Sequence, residues 1–285
     1  MLLNPNNPAL IFTDLDGSLL DHESYSFHAA NELLKRLDNG NIPVIPVTSK
    51  TFAEVEKLRI KLNNYHPFIV ENGAAIVIPK NYFSSRPKGS YENSGFWIIA
   101  NTESRHYWNS LLKQKAKIFA GEFESFSSIV SAQGYQGIQA LTGLSLEQAE
   151  LSNNRDFSEP IHWLGSEARK QAFITTMTAA GASLTQGGRF LSLGGNDNKG
   201  SALLQLTQLY QQDQALSLIH TLAIGDSKND ITMLDAATSA IIIRSKAHSI
   251  PSLSRDRNLI TSHAFGPEGW AESVSFWLTN YYGNR

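Results

Sequence analysis

Residues 9–18 place a short apolar segment directly before two closely spaced carboxylates, and this arrangement limits what the chain can form. The apolar segment 9–12 predicts a buried strand, and it leads into Asp14-Leu15-Asp16-Gly17-Ser18. Carboxylates at the end of a buried strand are costly unless something neutralises their charge. The segment therefore indicates either a site for a divalent cation and a phosphate, or an Asp-rich turn that merely ends a strand.

The two carboxylates suit different roles if this segment binds a phosphate ester. Asp14 can attack phosphorus and carry the phosphoryl group, as carboxylates do in aspartyl-phosphate chemistry. Asp16 can protonate the leaving oxygen and later activate a water molecule. Gly17 allows the chain to turn where a phosphate comes close.

Strand and helix patterns alternate along the first 80 residues. Apolar runs at 42–47 and 68–70 predict strands, and residues 27–38 have the spacing of an amphipathic helix. The alternation resumes after residue 195 with a helix at 199–210 and a strand at 218–224. This order predicts an α/β fold with a parallel sheet.

The alternation is interrupted in the middle of the chain. Residues 81–94 are polar and rich in Ser, Pro and Gly, which is typical of a loop or linker. Short strand and helix patterns follow without a regular order. We therefore predict a core formed by residues 1–82 and 195–285, and a separate α+β unit formed by residues 83–194.

Polar residues follow four predicted strands, and ligands of open α/β sheets bind at the carboxyl ends of the strands. These residues are Asp14 and Asp16, Thr48 and Ser49, Glu71 and Asn72, and Asp226 and Asp230. Asp226 can join Asp14 and the Asp16 backbone carbonyl in an oxygen-ligand set for Mg²⁺. Asp230 can position Lys199 or a metal-bound water.

Three further groups suit the binding of a phosphate. Thr48 offers a hydroxyl and Ser49 a backbone N–H to a phosphate oxygen. Lys199 opens a predicted helix, so its charge adds to the positive end of the helix dipole. The reaction that fits this arrangement is phosphoryl transfer, which depends on positioning and on neutralising negative charge.

Each of these residues also has a purely structural interpretation. Thr48 and Ser49 can cap a helix, Lys199 can be a solvated helix residue, and Asp226 can be an acidic turn residue. The residues Glu71-Asn72-Gly73 can form only a hairpin turn. All of these explanations would have to hold together, so the ordered set favours a phosphate-processing site.

Composition excludes several classes of partner and site. The net charge of −2 and the pI of about 6.4 provide no bulk attraction to nucleic acid or to anionic lipid. The chain contains no Cys, which excludes disulfides and thiolate metal sites and agrees with a cytoplasmic location. The N-terminal residues lack a basic region and no stretch approaches the length of a membrane span, so we expect neither a signal peptide nor membrane insertion. No pattern indicates an oligomeric state.

The ordered motifs resemble those of the haloacid dehalogenase superfamily phosphatases. They comprise residues 14–18, Thr48, Lys199 and residues 225–230, with Ser18 where Thr is frequent. The inserted unit resembles the large α+β cap of that superfamily, so the resemblance implies a Rossmann-like core with a cap. It also implies a Mg²⁺-dependent phosphomonoesterase. The implied catalytic residues are Asp14, Asp16, Thr48 and Lys199. The implied metal ligands are Asp14, Asp16 and Asp226, and Asn229 and Asp230 are implied to surround these ligands without binding the metal directly.

More narrowly, the chain is similar to the mannosyl-3-phosphoglycerate phosphatase family. The similarity lies in residues 48–51, 71–73, 155–160, 187–190 and 194–200. It implies a substrate with a phosphate, a glycerate carboxylate and a sugar. Arg155 and Arg189 would bind the carboxylate. The remaining implied substrate-binding residues are Glu71, Asn72, Gly73, Ser158, Glu159 and Gly188.

Other interpretations stay open at this stage. The two arginines can instead belong to surface Arg–Glu pairs inside the inserted unit. The enzyme can be a phosphatase of another small sugar phosphate, or a phosphohexomutase, which returns the phosphoryl group to its substrate. A non-catalytic sugar-phosphate sensor is disfavoured because Asp14, Asp16, Lys199 and Asp226 are all present.

Overall fold

The computed structural model describes residues 8–187 and 189–282. The strands in these ranges are β1 (Ala9–Thr13), β2 (Val44–Pro46), β3 (Phe68–Val70), β4 (Ala75–Pro79), β5 (Tyr91–Asn93), β6 (Phe96–Ala100), β7 (Phe123–Ser125), β8 (Glu159–Trp163), β9 (Ser183–Gly187), β10 (Phe190–Gly194), β11 (His220–Gly225), β12 (Ser239–Arg244) and β13 (Leu259–Phe265). The α-helices are α1 (Asn31–Asn39), α2 (Phe52–Leu62), α3 (Arg105–Lys115), α4 (Phe126–Gln133), α5 (Tyr135–Thr142), α6 (Leu146–Asn153), α7 (Glu167–Ala179), α8 (Lys199–Asp213), α9 (Ile231–Ala236) and α10 (Gly266–Trp277). Among the described residues, we find no helix with the length and apolar character needed to cross a membrane.

The chain forms two compact units, each built from separate stretches of sequence. The first unit contains the described residues up to Thr48, then Asn64–Ile99, and then the described residues from Asn198 onward. The second unit contains Ser49–Asn63 and Ala100–Asp197.

These bounds differ from the predicted division at residues 82 and 194. Strands β5 and β6 stay with the first unit because they continue the sheet that β3 and β4 begin. Helix α2 belongs to the second unit, where the Thr51 hydroxyl donates to the Leu151 carbonyl at 2.9 Å and Lys57 pairs with Glu147 of α6. The predicted loop at 81–94 contains β5.

The main sheet of the first unit is parallel, as the alternating pattern predicted. Its strand order is β13-β12-β11-β1-β2, and each neighbouring pair runs parallel. Strand β1 pairs with β11 from Ala9↔His220 to Thr13↔Ile224. All five residues of β1 and all six of β11 are buried, which is usual for a parallel sheet covered on both faces.

A smaller sheet in the first unit has the order β3-β4-β6-β5. Strands β3 and β4 form an antiparallel hairpin in which Phe68 lies opposite Val77 and Val70 opposite Ala75. Side chains from both sheets and from α8 share one apolar core that includes Phe12, Ile76 and Leu203.

The second unit has its own sheet and core, as expected for an α+β unit. Its sheet has the order β7-β8-β10-β9, and its neighbouring strands are antiparallel. Trp108 of α3 and Phe173 and Met177 of α7 pack into one apolar cluster with Leu191 of β10.

Candidate active site

The two strands at the centre of the main sheet deliver two carboxylates to the same edge. Asp14 follows β1, Asp226 follows β11, and these strands are parallel neighbours. The Asp14 N–H donates to the Ile224 carbonyl at 2.8 Å, which fixes the end of β1 against β11. Both aspartates are buried. A sequence with motifs after each strand therefore produces one acidic site.

Lys199 links this site to the first turn of α8. Its side chain is fully buried, and Nζ donates to Asp14 Oδ1 and to Asp230 Oδ1, both at 2.6 Å. Burial disfavours the ammonium, but the charges of Asp14 and Asp230 outweigh burial and raise the pKa of Lys199 above its usual value. Lys199 is therefore a fixed positive charge beside Asp14.

Asp230 also holds the loop that carries Asp226. Its Oδ2 accepts hydrogen bonds from the Asp226 N–H at 3.1 Å and from the Ser227 N–H at 3.0 Å. A Cβ on Gly225 would lie 2.4 Å from the Asp230 Cβ, so only glycine fits at that position. Both carboxylate oxygens of Asp230 thus accept hydrogen bonds, Oδ1 from Lys199 and Oδ2 from the loop backbone.

The donor set at this edge suits a hard divalent cation. Asp14, Asp226 and Asp230 each offer an oxygen, and these oxygens lie within 4.8 Å of one another. Burial raises the pKa of Asp14 well above its usual value, and burial together with the Asp230 charge raises the pKa of Asp226 to about 7. Lys199 alone therefore does not balance the three carboxylates, and an oxygen-seeking cation would. Asp14 and Asp226 are the better ligands because Asp230 is already engaged.

Asp16 lies on the turn that follows Asp14. It is half-buried and forms an isolated bridge with Leu20. Gly17 adopts a φ of +82°, and a Cβ at this position would lie 2.6 Å from Asp226 Oδ2. The turn thus passes directly against Asp226, which requires glycine at residue 17.

Because a cation must displace protons from raised-pKa carboxylates, its binding should depend on pH. The pKa of Asp226, raised to about 7, means that the metal-free folded state loses stability as pH rises from the ordinary aspartate range towards 7. We expect Mg²⁺ to raise the melting temperature more at pH 8 than at pH 6, with an apparent affinity about tenfold weaker at pH 6. Calorimetric melting with Mg²⁺ or with chelator measures this difference. Asp226→Asn is the control that should lose the Mg²⁺ effect, and equal shifts at both pH values would contradict the expectation.

The predicted Thr48 and Glu71-Asn72-Gly73 positions lie together in the first unit. The buried Thr48 donates its N–H to the Ile69 carbonyl at 3.0 Å and accepts the Asn72 N–H at 2.9 Å on its own carbonyl. Asn229 Nδ2 donates to Asn72 Oδ1 at 3.1 Å. The structure therefore brings Thr48, Asn72 and Asn229 into one hydrogen-bonded chain.

His248 is a neighbour of the site that the sequence analysis did not identify. Its Nε2 lies 3.2 Å from Asp226 Oδ2, and 39% of its side chain is exposed. It lies between β12 and β13 in a segment without a recognisable motif, so only the structure shows its position.

The predicted substrate residues of the second unit have different surroundings. Glu159 is fully buried and accepts hydrogen bonds from Arg105 Nε, from Asn109 Nδ2 at 3.0 Å, and from the N–H and hydroxyl of Ser127 at 2.7 and 2.8 Å. Both of its oxygens thus serve the interior of this unit. A buried carboxylate with these partners stabilises the fold of this unit, and its role toward a sugar hydroxyl stays a prediction.

The two predicted arginines differ from each other. Arg155 donates to the Ser49 carbonyl at 3.3 Å and to the buried Ser158 Oγ at 3.1 Å, so it joins two segments of the second unit. Arg189 is exposed and donates to the Thr142 carbonyl at 2.9 Å. Gly188, which was also predicted, lies outside the described residues.

Comparison with known proteins shows the family. The family model for haloacid dehalogenase-like hydrolases matches residues 11–120 and 167–255. Those two stretches contain the aspartates, Thr48 and Lys199 of the site.

The chain belongs to the haloacid dehalogenase-like hydrolase family.

Relatives across nearly the whole chain are named as phosphatases. A protein of Methanococcoides burtonii named glucosyl-3-phosphoglycerate/mannosyl-3-phosphoglycerate phosphatase is 34% identical over 270 residues, which is 93% of this chain and 95% of the relative. A protein of Persephonella marina with the same name is 34% identical over 266 residues, with coverages of 93% and 95%. This haloacid dehalogenase-like hydrolase is a phosphatase, which confirms the predicted family and enzyme class.

A solved structure supports the fold. The structure of a haloalkanoate dehalogenase superfamily phosphatase from Bacteroides thetaiotaomicron aligns with a TM-score of 0.63 at 15% identity, covering 95% of each chain. The predicted Rossmann-like core with an α+β cap is thus confirmed.

Proposed function

We propose that this phosphatase hydrolyses the phosphate monoester of a glucosyl- or mannosyl-3-phosphoglycerate, giving the glycosylglycerate and inorganic phosphate. The names and the lengthwise match of the two relatives support this substrate. The observation that carries the chemistry is the buried contact of Asp14 with Lys199 at the end of β1. It places a carboxylate beside a permanent positive charge, as attack on a phosphate requires.

In the proposed reaction, a carboxylate oxygen of Asp14 attacks phosphorus and the bond from phosphorus to the glycerate oxygen breaks. Asp16 donates a proton to that leaving oxygen. Asp16 then takes a proton from the water molecule that attacks the aspartyl-phosphate, which releases phosphate and restores Asp14. The Lys199 ammonium and the Thr48 hydroxyl stabilise the charge on the transferring group.

Mg²⁺ is the cofactor that we propose for this site. The carboxylates of Asp14 and Asp226 and the backbone carbonyl of Asp16 would hold it, which leaves Asp230 to Lys199 and the 226–227 backbone. When bound, Mg²⁺ supplies positive charge that neutralises the phosphate oxygens.

The second unit supplies the substrate selectivity in this proposal. A glycerate carboxylate that loses its water needs a cationic partner, because an unpaired buried charge is strongly destabilising. Arg189 and Arg155 are the candidate partners, and Ser158 is a candidate for a sugar hydroxyl. Glu159 has the different task of holding Arg105, Asn109 and Ser127 inside the unit.

Phosphate release from a panel of substrates tests the proposal. We expect higher kcat/KM for glucosyl- or mannosyl-3-phosphoglycerate than for hexose phosphates. Arg189→Ala and Arg155→Ala should lower that kcat/KM by roughly 10- to 100-fold, since each removes a charge-assisted hydrogen bond. Turnover of p-nitrophenyl phosphate, which has no carboxylate, should hardly change.

Arg169→Ala is the matched control, because Arg169 belongs to the same unit but pairs with Glu122. Equal losses on both substrates would mean that Arg155 and Arg189 support the fold instead. A wild-type enzyme without preference for glycosyl-3-phosphoglycerates would overturn the substrate and leave the phosphatase activity in place.

A further inference from the structure

The turn between β3 and β4 has an unusual backbone. Glu71 and Asn72 adopt φ values of 49° and 62°, and Gly73 follows with a φ of 105°. Left-handed conformations of non-glycine residues persist only where the surroundings hold them. The contacts of this turn therefore show what its conformation serves.

The turn contacts three segments that carry proposed catalytic residues. The Asn72 N–H donates to the Thr48 carbonyl at 2.9 Å. Asn72 Oδ1 accepts from Asn229 Nδ2 at 3.1 Å. A Cβ on Gly73 would lie 2.3 Å from the Asn198 carbonyl oxygen and 2.9 Å from the backbone nitrogen of Lys199. The turn therefore packs directly on the start of α8.

Asn229 connects Asn72 to the loop that carries Asp226. Its Oδ1 accepts from the Ser227 hydroxyl, and the Ser227 N–H and hydroxyl donate to Asp230 Oδ2 at 3.0 and 3.2 Å. The Asn229 amide is thus oriented by Ser227 at its oxygen and by Asn72 at its nitrogen. Asn72 is the link between this loop and the backbone of Thr48.

We propose that Asn72 is a positioning residue of the phosphoryl-transfer site and not a ligand of the sugar. Its side-chain oxygen holds Asn229, its N–H holds Thr48, and its left-handed conformation places Gly73 against Lys199. The inference rests on the catalytic roles proposed above for Thr48, Lys199 and Asp226, and it is independent of the substrate's sugar. Its effect must therefore appear with every phosphate ester.

Asn72→Gly tests this role, because glycine keeps the left-handed backbone and removes only the side chain. We expect kcat to fall roughly 2- to 10-fold with p-nitrophenyl phosphate and by the same factor with glycosyl-3-phosphoglycerates, while KM hardly changes. Asn229→Ala should lower kcat at least as much, because it also removes the acceptor of the Ser227 hydroxyl. The double variant should be no slower than Asn229→Ala alone, since both single variants remove the same hydrogen bond between Asn72 and Asn229.

Asn41→Gly is the matched control, since Asn41 is an exposed residue of the first unit with a φ of 53°. It should leave kcat unchanged. Unchanged p-nitrophenyl phosphate turnover in Asn72→Gly, with a loss only on glycosyl substrates, would overturn the proposal and make Asn72 a sugar ligand. Losses that multiply in the double variant would also overturn it. Wild-type turnover and its loss in Asp14→Asn test the proposed chemistry separately.

Discussion

Asp14→Asn is expected to fold as the wild type does and to lose nearly all phosphate release from every substrate. The amide has nearly the same shape as the carboxylate but cannot attack phosphorus to form an aspartyl-phosphate. Loss of a group that forms the covalent intermediate should lower kcat by a factor on the order of 10³ or more. Phosphate release at saturating substrate and Mg²⁺ measures this loss.

We expect the loss of activity in Asp14→Asn not to result from a loss of folding. Burial raises the pKa of Asp14 well above its usual value, so a neutral side chain at this position removes an unfavourable charge. The melting temperature of metal-free Asp14→Asn should equal or exceed that of the metal-free wild type. A well-folded variant that retains more than about a hundredth of the wild-type kcat would exclude Asp14 as the nucleophile.

Lys199→Met should remove both activity and a large part of the stability. Methionine is similar in size but leaves the carboxylates of Asp14 and Asp230 without the ammonium that lies 2.6 Å from each. Removing one partner of a buried ion pair typically costs about 3–5 kcal/mol of unfolding free energy. Urea unfolding of the metal-free protein measures this cost, provided that the slope of the unfolding free energy against urea concentration is the same in the variant and the wild type.

A second substitution separates the two effects of Lys199. Adding Asp230→Asn to Lys199→Met removes one of the two unpaired carboxylates, so it should restore part of the stability. It should not restore phosphate release, because the positive charge beside Asp14 is still absent. A Lys199→Met variant with wild-type stability would show that the ion pair does not stabilise the metal-free fold.

The core of the candidate site was predictable because it depends on a general property of parallel sheets. Neighbouring parallel strands end at the same edge, so motifs that follow β1 and β11 must lie together. The contact of Lys199 with both Asp14 and Asp230 agrees with that expectation. The local sequence pattern and the expected strand order were therefore sufficient to predict that these residues lie together.

The cap residues and the unit boundaries depend on partners that are distant in sequence. Glu159 lies in the 155–160 motif, for which the family resemblance implies a substrate-binding role, whereas its ion-pair partner inside the second unit, Arg105, lies 54 residues away. Helix α2 begins only four residues after Thr48, yet its hydrogen bond and ion pair with α6 place it in the second unit. Periodicity within a segment carries no information about such contacts.

Several elements lacked a clear local signal, among them α4, α5, β5 and β13. Helices α4 and α5 are short, and Gly137 interrupts the helical pattern of α5. Glycine is needed there because a Cβ on residue 137 would lie 2.5 Å from Ile129 Cγ2. Strand β13 contains polar residues that mask its pattern, which is acceptable because it lies at one end of the strand order.

The position of β1 between β2 and β11 has a consequence for the order in which the protein can be assembled during translation. The ribosome makes β1 and β2 well before His220–Gly225, which is the second neighbour of β1. A nascent chain that ends before residue 220 therefore has an apolar strand with one open edge, which is a template for aggregation. The same chain carries Asp14 before Asp226 and Asp230 exist. The candidate site therefore cannot form until the segment that carries Asp226 and Asp230 has been synthesised.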